Sequence, residues 1–492
     1  MKDLKQRAMR GGLARIVTQI TTLLLRTVTL MIMARLLAPK DFGLVGMVTA
    51  VIGVFSVFRD FGLSSAAVQR SHITPEQSST LFWINLLVGF TLSVIALVLG
   101  PFVAAFYHEP RLVAITALLG TAFLVNAAGV QHTALLEREM RFVILSVIDI
   151  VSLVVGTSMA IGLALRGFGY WSLVATSTIT PLCYTIGVWL TARWMPGLPR
   201  KQAGVLHMMR YGGTLTLNGL ITYLAMNLDK VLLGRFWGVE ALGIYGRAYQ
   251  LVNIPSDNLN SAAGGVVFAA LSRLQDDPVR LKSFFLKGYT LVLSLTVPIA
   301  LMCALFGDDI IRVFLGPKWI SAIPVFRILA ATTLGYAILA PLNWLLASSG
   351  LVGRGLRIAL VLMPTLVVGY AIGLHWGPTG VAAGYSTAMM LAVIPLIAWA
   401  RRGTPVKLSD LLLAIARPLA SGILAAGLVF GIRHFWGGAI LPLPRLIICT
   451  TAVLCFYLGI LLYALGQKPL YVEILRGFMR SSSAEDPVPV SS

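Results

Sequence analysis

Apolar residues in this chain come in long runs. They show neither the alternation of a half-buried strand nor the stripe of a surface helix. A helix needs about 20 residues to cross a hydrocarbon layer of roughly 30 Å. Fourteen stretches of that order occur, at 13–37, 42–62, 81–106, 112–131, 142–165, 168–192, 213–233, 241–270, 284–306, 320–348, 356–376, 378–400, 411–432 and 446–466. The breaks carry proline beside charge or glycine, as in Ala38-Pro39-Lys40-Asp41, His108-Glu109-Pro110-Arg111, Trp194-Met195-Pro196-Gly197, Asp276-Asp277-Pro278 and Trp376-Gly377-Pro378. Proline has no N–H to continue a helix, so each break reads as a turn between spans. The connections are too short to hold a soluble domain. The pattern predicts an all-α integral membrane protein with about 14 transmembrane helices.

Composition sharpens this. Of 492 residues, 57% are apolar and only 12% are charged, yet the formal net charge is +20. A soluble domain carries about a quarter charged residues, and a nucleic-acid binder needs a hydrophilic basic surface that this chain lacks. Most of the charge is a topology signal, because loops rich in Lys and Arg stay in the cytoplasm. With the N-terminus inside, connections on its side hold 24 basic residues and those opposite hold 9, which predicts both termini inside. The basic segment before Ile16 precedes an apolar run with no small-residue cleavage site, so the first helix is expected to be retained. Cys183, Cys303, Cys449 and Cys455 lie in apolar stretches without CxxC spacing and read as small core residues. Tyr107, Trp171, Trp194, Trp237, Trp319, Trp376 and Trp436 lie near helix ends and read as an interfacial belt.

The chain also repeats itself. Met9-Arg10-Gly11-Gly12 before the first helix is echoed by Met209-Arg210-Tyr211-Gly212-Gly213 before the seventh. Arg35, Gly43 and Gly46 in ARLLAPKDFGLVGM stand 200 residues before Arg235, Gly243 and Gly246 in GRFWGVEALGIYGR. An interval of six helices preserves orientation across the membrane, so the repeats are parallel. They predict two six-helix lobes around a central cavity, with the last two helices outside the repeat. The expected organisation is an N-terminal lobe at 1–200, a C-terminal lobe at 201–403, two additional helices at 404–470, and a cytoplasmic, partly disordered tail at 471–492.

The segment ARLLAPKDFGLVGMVTAVIGVFSVFRDFGLSSAAVQR resembles the signature of Wzx-type flippases, the polysaccharide-transporter branch of the multidrug/oligosaccharidyl-lipid/polysaccharide exporter superfamily. GRFWGVEALGIYGRAYQLVNIP resembles its second-half counterpart, and the likeness runs over roughly residues 1 to 400. The resemblance implies translocation of an undecaprenyl-diphosphate-linked oligosaccharide to the periplasmic leaflet of a bacterial inner membrane. Exopolysaccharide or lipopolysaccharide biosynthesis is the implied pathway. Membrane lipids and a polysaccharide polymerase or biosynthesis complex are the implied partners.

Charged residues within or at the edges of spans include Arg26, Arg59, Asp60, Asp149, Asp229, Lys230, Arg247, Asp257, Arg327 and Arg417. Each costs about 2.5 to 3.5 kcal/mol at a helix centre on insertion scales, so each asks for a partner or a polar cavity. Arg26 lies midway along its span. It reads either as a cation facing the inter-lobe cavity, suited to bidentate pairing with a diphosphate, or as a buried ion pair with Asp149 or Asp229. Asp149, Asp229 and Asp257 are candidates for ion coupling, although Asp257, like Arg59-Asp60, also reads as helix-end charge at the inner interface. Asp229 read instead as structural would pair with Lys230 or a nearby Arg. Arg59, Asn85, Asn218, Tyr223, Asn227, Arg247, Asn253, Asn258, Arg327 and Asn343 are candidates to line the substrate route or to serve helix–helix contacts. Pro255, within a polar stretch of the eighth span, marks a bending or cavity-lining segment. Arg35 and Arg235 read as anchors at the outer helix ends.

The chain has no GxxxxGK[ST] loop and no HExxH, and its six His are scattered, so no cofactor, metal site or nucleotide-driven cycle is expected. Two other readings stay open. One is a cation-coupled exporter of small amphiphiles from the same superfamily. The other is a membrane glycosyltransferase or ligase, for which Asp41, Glu109, Asp308 and Asp309 are the candidate acids.

Overall fold

A computed structural model describes residues 2–58, 74–199, 206–436, 441–469 and 471–472. Regular structure among them is entirely helical. In chain order the helices are α1 (Lys2–Leu36), α2 (Pro39–Ile52), α3 (Pro75–Tyr107), α4 (Leu112–Arg138), α5 (Phe142–Leu165), α6 (Trp171–Ala192), α7 (Leu206–Ser272), α8 (Pro278–Leu305), α9 (Gly307–Phe314), α10 (Ala322–Ser348), α11 (Val352–Gly373), α12 (Gly377–Ala400), α13 (Leu408–Trp436) and α14 (Pro442–Gly459). Eleven helical segments among the described residues are long and apolar enough to cross a membrane. One of them, Gly353–Ala400, comprises α11 and α12, joined by a single 3₁₀ turn.

Proline sets the starts, as the pattern predicted. Thr74 caps α3 through a capping box in which its hydroxyl accepts from Gln77 N (3.2 Å), while its own N–H donates to Gln77 Oε1 (3.1 Å). Asp277 accepts from Arg280 N (3.1 Å) at the start of α8. Two expectations shift. The basic residues before the first span are already helical, within α1. In α7 the only non-helical backbone is at Gly238 (φ 78°, ψ −171°), a conformation glycine reaches without a Cβ penalty, whereas the helix runs on through Pro255.

Contacts divide the chain into two units: Met1–Arg247 with Phe314–Trp319, and Ala248–Val313 with Ile320–Ser492. In the first unit the α1–α2 corner is held in an unusual way. Pro39 has no N–H for the Arg35 carbonyl, and Ala38 N–H donates to Asp41 Oδ2 (3.0 Å). The open carbonyls of α1 are met from segment 314–319. Trp319 Nε1 donates to Ala34 O (2.8 Å), and Lys318 Nζ to Arg35 O (3.0 Å) and Leu36 O (3.3 Å). The Trp319 ring meets Phe42 edge-on at 5.3 Å. Trp319 is therefore fully buried and does not belong to the interfacial belt; Tyr107, 6% exposed, leaves the belt too. Trp237 and Trp376 are exposed, as belt residues would be.

The repeat-related glycines meet within this unit. A Cβ on Gly43 would lie 1.7 Å from Val239 O, and one on Gly243 would lie 2.0 Å from Pro39 O. Positions 39 and 239 are themselves 200 residues apart, so the contact is reciprocal: the start of each repeat's second helical segment lies backbone to backbone against the other's.

The core of the second unit gathers Phe285, Tyr289 and Leu293 of α8, Leu342 and Leu345 of α10, Ile397 of α12 and Leu411 of α13. The last helix joins through Tyr457, which donates to Ser294 O (2.9 Å), and through Arg445, whose Nε donates to both oxygens of buried Asp309 (3.0 and 3.1 Å). Large apolar side chains such as Leu87, Leu190, Ile372 and Leu391 point outward. On a soluble surface such faces would demand a partner; on these helices they are the lipid-facing side.

A candidate functional site inside the first unit

A polar cavity of about 530 Å³ opens among four helices of the first unit. Helical spacing builds it. Thr22 and Arg26 of α1 lie one turn apart. From α4, Asn126, Gly129, Val130, Thr133, Ala134 and Glu137 recur every three or four residues along one face. Asp149, Ser152 and Leu153 of α5 and Thr180, Pro181 and Tyr184 of α6 close it. Gly129 lets α4 approach α6, since a Cβ there would lie 2.8 Å from Thr185 Oγ1.

One guanidinium and two carboxyl groups face this space, among hydroxyl, amide and apolar side chains. Both carboxyls lie near enough to the Tyr184 hydroxyl to interact with it electrostatically. Thr133 Oγ1 donates to Gly129 O (3.1 Å) and lies 3.4 Å from the Tyr184 hydroxyl, while Asn126 Nδ2 donates to Ala122 O (2.7 Å). Ser152 is buried, and the buried hydroxyl oxygen of Thr180 has no hydrogen-bond partner among the described residues. The cavity thus offers several hydroxyls, an amide, a cation and two anions to a ligand.

Of the residues expected from sequence, Arg26 and Asp149 come together here, and Asp229 does not join them. Glu137 is new: the apolar run ends at 131, whereas α4 continues to Arg138. The other described candidates lie outside this cavity. Tyr223 donates to Thr49 O (2.9 Å) and so ties α7 to α2. Asn227 donates to Tyr223 O (2.9 Å) and accepts from Lys230 Nζ (2.7 Å). Asp229, 1% exposed, accepts from Tyr245 (2.7 Å), and its second oxygen has no hydrogen-bond partner among the described residues. The Arg247 guanidinium lies over the Phe42 ring at 4.1 Å. Asn85 is buried on α3, its amide nitrogen likewise without a partner among the described residues. In the second unit Asn253 is buried, Arg327 pairs with Asp308 (2.9 Å), and Asn343 is exposed beside Gly355. Arg59 lies outside the described residues, as do the side chains of Asn218, Asp257 and Asn258.

The four acids that a glycosyltransferase would draw on all have partners. Asp41 caps the α2 N-terminus, Asp308 holds Arg327, and Asp309 holds Arg445. Glu109 accepts from Arg111 at 2.7 and 2.9 Å, and that guanidinium keeps its carboxyl below the usual range.

Comparison with known proteins agrees with this architecture. In solved structures, the fold matches the lipid II flippase MurJ in an inward closed conformation, with a TM-score of 0.69 at 13% identity over 92% of this chain and 99% of that one. It also matches an inward-facing multidrug resistance MATE family transporter of the MOP superfamily, with a TM-score of 0.61 at 15% identity over 77% and 94%. In sequence, it is 25% identical over 402 residues to the lipopolysaccharide biosynthesis protein WzxC of Escherichia coli (strain K12), covering 80% of each chain. It is 28% identical over 304 residues to the teichuronic acid biosynthesis protein TuaB of Bacillus subtilis (strain 168), covering 59% of this chain and 61% of that one. The family model described as polysaccharide biosynthesis protein matches residues 32–324. The chain, a multi-pass helical membrane protein, belongs to the polysaccharide biosynthesis protein family.

Proposed function

We propose that this protein flips lipid-linked oligosaccharide precursors across a bacterial inner membrane for cell-surface polysaccharide assembly. It acts as a transporter and not as an enzyme. The observation that carries the reading is the cavity of Arg26, Glu137 and Asp149: hydrogen-bonding groups and charge gathered inside an apolar helical unit, in a chain whose relatives include a succinoglycan biosynthesis transport protein and whose fold is that of a lipid II flippase. Polar groups at membrane depth are costly, and a polar ligand that must cross is the function that calls for them. In this reading the repeats at 1–200 and 201–403 alternate access, the helices at 404–470 lie outside that cycle, and both termini face the cytoplasm. The lipid tail stays in the bilayer beside the protein.

The test is made in the native bacterium. Deletion of the gene, or Arg26→Ala at unchanged protein level, should abolish surface polymer. A lipid-linked oligosaccharide should then accumulate that an impermeant oxidant applied to spheroplasts cannot reach. Normal export on deletion, or an intermediate fully accessible from outside, would overturn the proposal. Sugar transfer catalysed by the purified protein would also overturn it.

A further inference from the structure

One end of the second unit gathers cations that the transport cycle does not use. No Asp or Glu occurs in the sequence between Asp309 and Asp410, a stretch that holds Arg354, Arg357, Arg401, Arg402 and Lys407. The fold brings these five to one end. Leu351 just before α11, Ala400 at the end of α12, and Val406 and Leu408 at the entry to α13 pack in one core cluster with Leu281 and Leu411. The acid that follows them, Asp410, is already engaged: it holds Lys282 Nζ (2.6 Å) and accepts from the Lys407 N–H (3.0 Å). Near the start of α8, Asp277 pairs with Arg280 (3.3 Å) and Asp276 is exposed.

Two guanidinium groups of the cluster lack an acceptor. Arg354 Nη1 and Arg401 Nε are shut off from solvent, and neither atom has a hydrogen-bond partner among the described residues. Gly403 links them. Its φ of 70° is left-handed, and a Cβ on it would lie 3.6 and 3.7 Å from the two terminal nitrogens of Arg354, so the turn after Arg401 rests against the Arg354 fork. A buried donor without an acceptor costs free energy, more so when it is charged, and an anion bound there removes that cost.

Position indicates which anion. Val361 lies two turns beyond Arg354 on the same side of α11, and Ile394 lies two turns before Arg401 on α12. Both are exposed apolar residues of the lipid-facing surface. The guanidinium groups thus stand where that surface ends, at the depth of lipid headgroups. A phosphate diester there meets planar donor forks, while its acyl chains run along the side of Val361 and Ile394.

We infer that Arg354 and Arg401, with Arg357, Arg402 and Lys407 around them, form a binding site for the phosphate headgroup of an anionic phospholipid. The leaflet is the one bordering this end of the second unit, cytoplasmic in the orientation proposed above. Basic clusters beside the cytoplasmic ends of membrane helices recognise anionic headgroups in this way.

The full chain in detergent is titrated with phosphatidylglycerol and, separately, with phosphatidylethanolamine of the same acyl chains, and bound lipid is counted by native mass spectrometry. Native protein should bind the first phosphatidylglycerol about tenfold or more tightly than the zwitterionic lipid, and Arg354→Gln/Arg401→Gln should reduce that preference below about threefold. Thermal unfolding shows whether this variant has folded. A second variant, Arg357→Gln/Arg402→Gln, changes only exposed side chains and should lower the preference about threefold or more. Arg166→Gln removes an exposed cation after α5 in the first unit and should leave it unchanged. Excess inorganic phosphate should not displace the lipid, and undecaprenyl diphosphate should not be retained in preference to it. Equal binding of the two phospholipids by native protein overturns the inference. So does an unchanged preference in both folded double variants, displacement by inorganic phosphate alone, or preferential retention of undecaprenyl diphosphate. Polymer export in the native bacterium is a separate readout, so failure here leaves the flippase reading standing, and the reverse holds too.

Discussion

The attachment of α14 offers the sharpest test of the packing. Asp309, on the short helix α9, is fully buried, and Arg445, 20% exposed, reaches it with Nε and a terminal nitrogen. Arg445→Leu removes a bidentate cationic partner from a buried carboxylate, a loss that costs about 3–5 kcal/mol. Replacing both residues, as in Asp309→Leu/Arg445→Leu, removes the carboxylate together with its partner and should restore stability to within about 1 kcal/mol of native. Cys449 reports on this locally. It lies one turn beyond Arg445, 7% exposed, packed with Phe306, Val429 and Val453. Its alkylation requires the helix to open, so the loss should speed labelling by roughly two to nearly four powers of ten, at 1.4 kcal/mol per tenfold. Exposed Cys455 should label at an unchanged rate and serves as the internal standard. Acceleration of Cys449 below tenfold in the single variant would refute the reasoning. So would a double variant as labile as the single one.

Further variants probe the first unit. Gly43→Ala places a methyl 1.7 Å from a backbone carbonyl and should destabilise by about 1–3 kcal/mol or more, whereas Gly246→Ala, with nothing within 4 Å, should be neutral or slightly stabilising; thermal unfolding in detergent compares them. Trp319→Ala should cost about 3–5 kcal/mol, through the cavity it leaves and the unmet carbonyl of Ala34, and a Tm equal to native would contradict the assigned contact. Tyr245→Phe withdraws the hydroxyl that donates to buried Asp229 and should cost about 1–3 kcal/mol, read by the same unfolding assay.

The helices were legible because hydrophobic runs and proline stops act locally, and among the described residues the apolar stretches fall largely on helical backbone. The candidate site was legible only in part. Arg26 and Asp149 stood out because charge inside an apolar run is conspicuous. Glu137 did not, since hydropathy ends a span where charges begin, while α4 continues in regular helix for two turns beyond. Those turns return Glu137 to the face of Asn126 and Thr133. The contacts of Tyr223 and Trp319 were illegible for a related reason. Their polar atoms satisfy backbone carbonyls of distant segments, and no local pattern announces such a partner.

The three identities at the 200-residue offset separate once their contacts are known. Gly46 meets only the side chain of Leu242 at 3.5 Å, and Gly246 meets nothing, so neither contact requires glycine. Arg35 packs its stem on Gly316, while Arg235 lies over Phe106 and Phe236, so the two arginines do different work. Gly43 and Gly243 meet backbone of one another's repeat: each is pressed against the carbonyl at position 239 or 39, and a side chain on either would collide with it. The glycine pair is therefore the part of the sequence repeat that the packing itself enforces, and the place where a substitution in one repeat should be felt by the other.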